Sequence, residues 1–267
     1  MNPLDLVLVP YRAVNRLNRW LYRRGWRKAK RLPAPVISIG NIAVGGAGKT
    51  PAVIAIARHL AHRRVVILTR GYGRKGAGGE VTELDAARYG DEPVLMKKHA
   101  PNAIVIAGSN RYENGARIKA DIYLLDDGFQ HLQLARDLDI VIDAPARWHR
   151  EGRSALRDAH VVIKRNLHVF VPHVRQAFAF AGLANNEQFF ATLRANGVEL
   201  AGTMSFPDHH RYTAADLERI RKAAAGKPIL TTEKDEVKLP PSDDIIAVRA
   251  EFAVPPEVLA KIDALLR

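Results

Sequence analysis

Cysteine is absent from the 267 residues, so disulfides and thiolate metal sites are excluded, and the composition fits a reducing cytoplasmic setting. No uninterrupted apolar run approaches the ~18 residues that span a bilayer, and the N-terminus lacks a cleavable signal pattern. Negative charge is in deficit: 28 Asp and Glu stand against 41 Lys and Arg, for a net charge of +13. No internal repeat is present. What remains is a chain long enough to bury a sizeable core, with one large or two modest α/β domains expected and two lobes preferred.

The positive charge is unevenly spread. Residues 1–31 hold nine Arg or Lys against Asp5 alone, which is +8 of the +13. Tyr11, Val14, Leu17 and Leu21 recur at helical spacing, while Arg12, Arg16, Arg19, Arg23 and Arg27 repeat on roughly the opposite side. Trp20, Tyr22 and Trp26 add interfacial aromatics. Such a helix suits the headgroup layer of an anionic membrane, where each basic residue is worth ~1 kcal/mol. Two other readings stand beside it. The stripe can pack on the protein's own body with the arginines solvated, or the patch can bind nucleic acid. The remaining +5 and the absence of a recognisable nucleic-acid module argue against the last, so no nucleic-acid partner is expected.

Between Val36 and Pro51 the chain reads VISIGNIAVGGAGKTP. Val36 to Ile39 has the length and branching of a buried parallel strand, and Pro51 suits the first turn of a helix over Ala52 to Ala61. In the intervening loop Gly45, Gly46, Ala47 and Gly48 let backbone amides close on phosphate oxygens. Lys49 then reaches the outer phosphates and the Thr50 hydroxyl holds Mg²⁺. This is a variant P-loop, because Ala43 stands where the common pattern has glycine.

Further apolar runs at Val65 to Thr69, Ile104 to Ala107, Ile122 to Leu125 and Leu138 to Ile142 are spaced for intervening helices, the rhythm of a parallel sheet. Gly71 to Gly79 is a basic, glycine-rich loop after a strand end, where open α/β sheets place their ligands. Val161 to Lys164 is a shorter strand candidate. Beyond a polar stretch to His173, strands at Ala177 to Ala181, Ile229 to Thr232 and Ile245 to Val248, with helices at Asn186 to Asn196 and Ala214 to Ala225, compose a second, smaller α/β lobe. The domain reading is therefore a helix at 1–31, a P-loop lobe at 32–170 and a C-terminal lobe at 171–267.

Asp126 and Asp127 follow a hydrophobic strand, the place from which P-loop enzymes hold Mg²⁺ directly or through water. Asp91, in Tyr89-Gly90-Asp91-Glu92-Pro93, reads alone as a helix N-cap. Asp208, His209 and His210 precede a helix signalled by Thr213 to Asp216. Adjacent histidines point differently, so one of them serves at most, and the spacing is not that of a zinc site.

Taken together, GNIAVGGAGKTP (40–51), TRGYGRK (69–75), GDEP (90–93), DDGFQH (126–131), AFAGLANNEQFFATL (179–193), FPDHH (206–210) and LTTEKDEVKL (230–239) resemble the tetraacyldisaccharide 4′-kinases of lipid A biosynthesis. The resemblance runs from about Pro35 to Leu239, in the same order. It implies transfer of the γ-phosphate of ATP, with Mg²⁺, to the 4′-hydroxyl of a tetraacylated disaccharide 1-phosphate, giving lipid IVA at the cytoplasmic face of the inner membrane. It also implies roles. Lys49, Thr50 and Pro51 belong to the nucleotide loop, and Thr50, Asp126, Asp127 and Glu151 to the metal. Asp91 takes the sugar hydroxyl's proton and His209 pairs with it, with Lys49 and Asp127 completing the catalytic set. Arg70, Tyr72, Gln130 and His131 approach the substrate. The expected enzyme is a monomer, peripherally attached through its N-terminal helix.

Departures from the family pattern are local. PAGPLRE reads Pro145-Ala146-Arg147-Trp148-His149-Arg150-Glu151 here, and Asn185 and Asn186 replace an arginine-proline pair. The competing class is a P-loop GTPase or ATPase acting as a conformational switch. It would want an Asn-Lys-x-Asp base-reading motif, and Thr232-Glu233-Lys234-Asp235 has the wrong spacing.

Overall fold

The computed structural model describes residues 3–43, 46–76, 78–145 and 149–267, with side chains described from residue 9 onward in the first helix. The chain opens with helix α1 (Pro3–Arg23), then β1 (Val36–Asn41), α2 (Lys49–His59), β2 (Val65–Thr69), β3 (Gly79–Glu80), α3 (Ala86–Tyr89), α4 (Asp91–His99), β4 (Ile104–Ala107), α5 (Arg111–Ala116), β5 (Ile122–Asp126) and β6 (Leu138–Asp143). A 3₁₀ turn (Arg153–Asp158) leads to β7 (Val161–Lys164). The second half runs β8 (Leu167–Phe170), β9 (Gln176–Ala181), α6 (Asn186–Ala195), β10 (Glu199–Ser205), α7 (Ala214–Ala224), β11 (Ile229–Thr232), α8 (Glu233–Glu236), β12 (Ile245–Phe252) and α9 (Pro256–Leu265).

The first sheet is seven-stranded, in the order β3-β4-β2-β5-β1-β6-β7, and parallel except for the short edge strand β3. Its central strands β1, β2 and β5 are buried along their whole length, as near-continuous Val, Ile and Leu runs require when helices cover both faces. β1 and β5 are neighbours, with Ile39 opposite Asp126. The glycine loop and the Asp-Asp turn therefore leave the same edge of the sheet side by side. The second sheet has the order β10-β9-β11-β12-β8, with only β8 antiparallel.

Three placements differ from the sequence reading. β8, which falls within the expected 32–170 lobe, pairs with β12 in the second sheet. The last helix, α9, does not stay with the second lobe. Val258 and Ile262 join the core of the first, beside α2, and the His59 ring lies 2.8 Å from an Asp263 carboxylate oxygen. Also, α2 starts at Lys49, three residues before the expected Ala52, so lysine and threonine occupy its first turn.

Helix α1 is amphipathic with its faces inverted relative to an ordinary surface helix. Arg19 is buried and Arg12 donates to the His149 carbonyl at 2.7 Å, while Arg23 pairs with Asp158. The apolar stripe faces outward: Val9 is 61% exposed, Val14 64%, Leu17 57% and Trp26, just beyond the helix, 72%. The stripe does not pack on the protein's own body, which removes that reading. Among the described residues no helix is long and apolar enough to cross a membrane.

Candidate active site

A cleft of about 900 Å³ opens between the lobes, lined on one side by Gly46 to Pro51, Arg70, Tyr72, Asp126, Asp127 and Arg150, and on the other by Asn185, His209 and Lys234. Gly45 lies outside the described residues. The α2 N-terminus points its free amides and the positive end of its dipole into this cleft, a site made for phosphate. Lys49 Nζ is 3.2 Å from Asn41 Oδ1 and 3.5 Å from Asp127 Oδ1. Arg150 adds a second cation, with Nη1 3.1 Å from Asp127 Oδ2 and Nη2 3.1 Å from Asn41 Oδ1.

The two aspartates titrate in opposite directions. Burial, reinforced by Glu92 and Asp127, pushes Asp126 up to about 7 against the pull of Lys49 and of the Thr69 hydroxyl, which donates to it at 2.8 Å. Asp127 is also opposed by burial, but Lys49 and Arg150 outweigh it and hold this carboxyl below its ordinary range. One oxygen of each, Asp126 Oδ1 and Asp127 Oδ1, is buried without a hydrogen bond. These two carboxylate oxygens, which accept no hydrogen bond, line the same cleft as Thr50, and together they form a hard, all-oxygen donor set of the kind Mg²⁺ takes when phosphates and water complete its shell. Among the described residues no group of three or more His, Asp or Glu stands ready to hold a metal unaided.

Asp91 is not an N-cap. Gly90 holds that position and Asp91 sits in the first turn of α4. Gly90 has φ +97°, and a Cβ there would stand 2.6 Å from the Tyr72 carbonyl, so only glycine lets the 70–73 loop close against the start of α4. Asp91 is 5% exposed, and its Oδ2 meets His209 Nδ1, from the second lobe, at 2.9 Å. Burial raises the Asp91 pKa, but the His209 hydrogen bond and the charges of Lys234, His209 and Lys238 prevail and hold it below the usual carboxylate range. The same hydrogen bond raises His209 against its own burial. Tyr72 packs on the imidazole with ring centroids 4.9 Å apart. His210 turns away, 3.0 Å from Asp216 and stacked on Phe206.

Of the three non-glycine residues at positive φ among the described residues, two are Asp127 (47°) and His209 (56°). Strained backbone of this kind costs ~1–3 kcal/mol and concentrates where function demands an orientation. Asp91 itself does not line the cleft; its neighbour Glu92 and its partner His209 do.

Three expected site residues lie elsewhere. Gln130 gives its amide to the Asn41 carbonyl at 2.8 Å, bracing the end of β1. His131 is pushed down to about 4 by burial and by Arg111, Arg136 and Arg70, which keeps it neutral, and it does not line the cleft either. Glu151 is committed to Arg19 through both oxygens, at 2.7 and 3.0 Å. With both oxygens held by that guanidinium, Glu151 does not line the cleft.

Sequence reading passed over Arg150, Asn41, Thr69 and Lys234. Asn41 and Thr69 stand in quoted motifs, and Arg150 precedes the glutamate that drew attention. Lys234 pairs with Glu92 at 2.5 Å across the lobes, and the Glu92 and Asp91 charges overcome its burial and keep it protonated. Asp235, which a guanine-reading motif would present to a base, is fully buried and accepts from the Gly182 amide, the Tyr212 hydroxyl and Lys238. Asn185 caps α6 and Asn186 accepts from the Leu183 amide at 2.7 Å.

A family model described as tetraacyldisaccharide-1-P 4′-kinase matches residues 2–169 and 144–267. Similar curated proteins are the tetraacyldisaccharide 4′-kinase of Anaeromyxobacter dehalogenans (strain 2CP-C), 38% identical over 90% of this chain and 82% of that protein, and that of Geobacter metallireducens, 36% identical over 89% and 88%. The solved structure of LpxK from Aquifex aeolicus in complex with ATP aligns with a TM-score of 0.80 at 31% identity, covering 99% of this chain and all of that one. This chain belongs to the tetraacyldisaccharide 4′-kinase family, enzymes that phosphorylate the lipid A disaccharide.

Proposed function

We propose that the donor is ATP, that its triphosphate lies along the α2 N-terminus, and that Asp91 receives the proton of the 4′-hydroxyl as the γ-phosphate is transferred to form lipid IVA. Phosphoryl transfer asks mainly for alignment and for neutralisation of charge on the moving oxygens. Loop amides from Gly46 to Gly48, with Lys49, meet the first demand and part of the second. Thr50, Asp126 and Asp127 would hold Mg²⁺, which when bound neutralises phosphate oxygens. A sugar hydroxyl is a poor nucleophile near neutral pH, so a carboxylate must accept its proton as attack proceeds. Asp91, kept ionised by His209 and Lys234, has that capacity. His209 orients the base and stabilises its charge. Arg70 and Tyr72 also line the cleft, and in this reading they meet the acceptor.

Movement between the lobes would bring Asp91 into contact with the hydroxyl and exclude water that otherwise hydrolyses ATP. The observation that carries this reading is the Asp91–His209 hydrogen bond, made across the lobes beside the cleft that also holds Lys49 and Asp127.

The acceptor is a lipid, and α1 supplies the means to meet it. Its outward stripe of Val9, Tyr11, Val14, Leu17 and Trp20 enters the headgroup layer from the cytoplasmic face of the inner membrane, as a peripheral attachment of a monomer. Arg12, Arg19 and Arg23 of α1 are turned to the His149 carbonyl, Glu151 and Asp158.

Incubation of the protein with Mg²⁺, γ-labelled ATP and tetraacyldisaccharide 1-phosphate in mixed micelles tests the whole reading. The label should move to the disaccharide. Label released only as inorganic phosphate, or a preference for GTP, would overturn it.

A further inference from the structure

We infer that Arg19, on the N-terminal helix, is a positioning residue for phosphoryl transfer: it clamps the Asp126–Phe129 turn and the Arg150–Glu151 segment in the geometry that presents Asp127 to the metal–nucleotide complex. This inference rests on the function proposed above. Among the described side chains of α1, Arg19 is the one that is buried, at 7% exposure, although it is charged. Its Nε and Nη2 take Glu151 Oε2 and Oε1 at 2.7 and 3.0 Å. The same Nη2 donates to the Phe129 carbonyl at 3.0 Å, Nη1 lies 3.5 Å from Asp158, and the guanidinium carbon sits 4.2 Å from the centroid of the Phe129 ring. Every face of the group is used.

Both partners lead directly to Asp127. Phe129 is two residues downstream and fully buried, and it packs so closely on Gly40 that a Cβ there would come within 2.6 Å of its own. With Phe129 held by ring and carbonyl, the turn before it has little freedom, and Asp127 keeps its positive φ. Glu151 adjoins Arg150, whose guanidinium meets Asp127 Oδ2 and Asn41 Oδ1. One side chain thus fixes the Asp127 backbone from one direction and its carboxylate's cationic partner from another.

Burying an ion pair adds little stability over an apolar pair, because desolvation offsets the attraction. What the fork of Arg19 provides is direction: a planar donor set that holds a carboxylate and a carbonyl at once, which lysine does not reproduce. Groups that orient a metal ligand in this way typically cost about 10–100-fold in metal affinity or activity when removed.

Two variants test the clamp. Arg19→Lys keeps a charge opposite Glu151 but loses the fork; the double variant Arg19→Met with Glu151→Leu leaves no buried charge unpaired. Thermal melting checks the fold, and a fluorescent ATP analogue is titrated with and without Mg²⁺ before kcat is measured. In folded variants the expected result is nucleotide affinity near the parent value without Mg²⁺. The Mg²⁺ concentration needed for half-maximal tightening should rise about 10-fold, and kcat should fall about 10–100-fold. Parent-like Mg²⁺ dependence and kcat in either folded variant would overturn the inference, and so would failure of both to fold, since Arg19 would then be a fold element only. The titration needs no glycolipid, so a wrong acceptor leaves this result readable.

Discussion

His209→Ala removes the one hydrogen bond that the second lobe makes to the proposed base, and its effect can be worked out in sign and size. In the folded protein Asp91 is buried, which favours its neutral form, and the His209 hydrogen bond is the first influence restoring the charge. Without it Asp91 becomes protonated at higher pH than in the parent. A hydrogen bond to a charged group is worth roughly 1.5–3 kcal/mol. At 1.36 kcal/mol per pH unit, the acid limb of the rate profile should move upward by about 1–2 pH units. Lys234 and Lys238 remain, so the displacement stops short of a fully unassisted buried carboxyl. The assay is kcat/KM for the glycolipid between pH 5 and 9, under saturating ATP and Mg²⁺ so that the proton on Asp126 is already displaced. An acid limb that stays in place, or moves to lower pH, would refute the claim that His209 keeps Asp91 ionised.

Two further outcomes follow from the same geometry. Because burial holds Asp126 near 7, protons compete with Mg²⁺ for it; apparent Mg²⁺ affinity should rise about 10-fold per pH unit below that point and level off above it, as titration with the ATP analogue would read. Val14→Glu with Leu17→Glu places two charges on the outward stripe of α1. Since burying each native side chain is worth about 1.5–3 kcal/mol, cosedimentation with anionic vesicles should fall by more than about 100-fold while melting is unchanged.

The strands legible in sequence are unbroken apolar, β-branched runs, whether central and buried along their length or, like β7 at the sheet edge, mostly half-buried or exposed. Val65 to Thr69, Ile104 to Ala107, Val161 to Lys164 and Ile229 to Thr232 all form with the expected bounds. β8 was obscured because its residues alternate between half-buried and exposed, with His168 in the run, and its role is visible only once β12 lies beside it. β10 is an edge strand with a bulge at Leu200 to Gly202, and its polar face reads as loop. For α1, periodicity separates an apolar and a basic side but carries no information on which faces inward. That depends on Glu151, Asp158 and the His149 carbonyl, more than 125 residues away.

The site divides in the same way. Lys49, Thr50, Asp126 and Asp127 come from short motifs whose local backbone dictates their position, and they meet in the cleft. Asp91 and His209 are brought together by topology, 118 residues apart. Glu151 was expected at the metal because it closes a motif, yet a buried arginine from the first helix takes it. Pairings of that kind are set by which long side chains the fold buries together, and spacing along the chain does not encode them.

Asp91→Asn offers the most direct measurement, because it keeps the side chain's shape while removing its charge and its capacity to accept a proton. Single-turnover phosphoryl transfer should slow by about 10²–10⁴-fold while ATP affinity stays near that of the parent. A parent-like rate of transfer from the asparagine variant would contradict the assignment of the base, and with it the mechanism built on the Asp91–His209 pair.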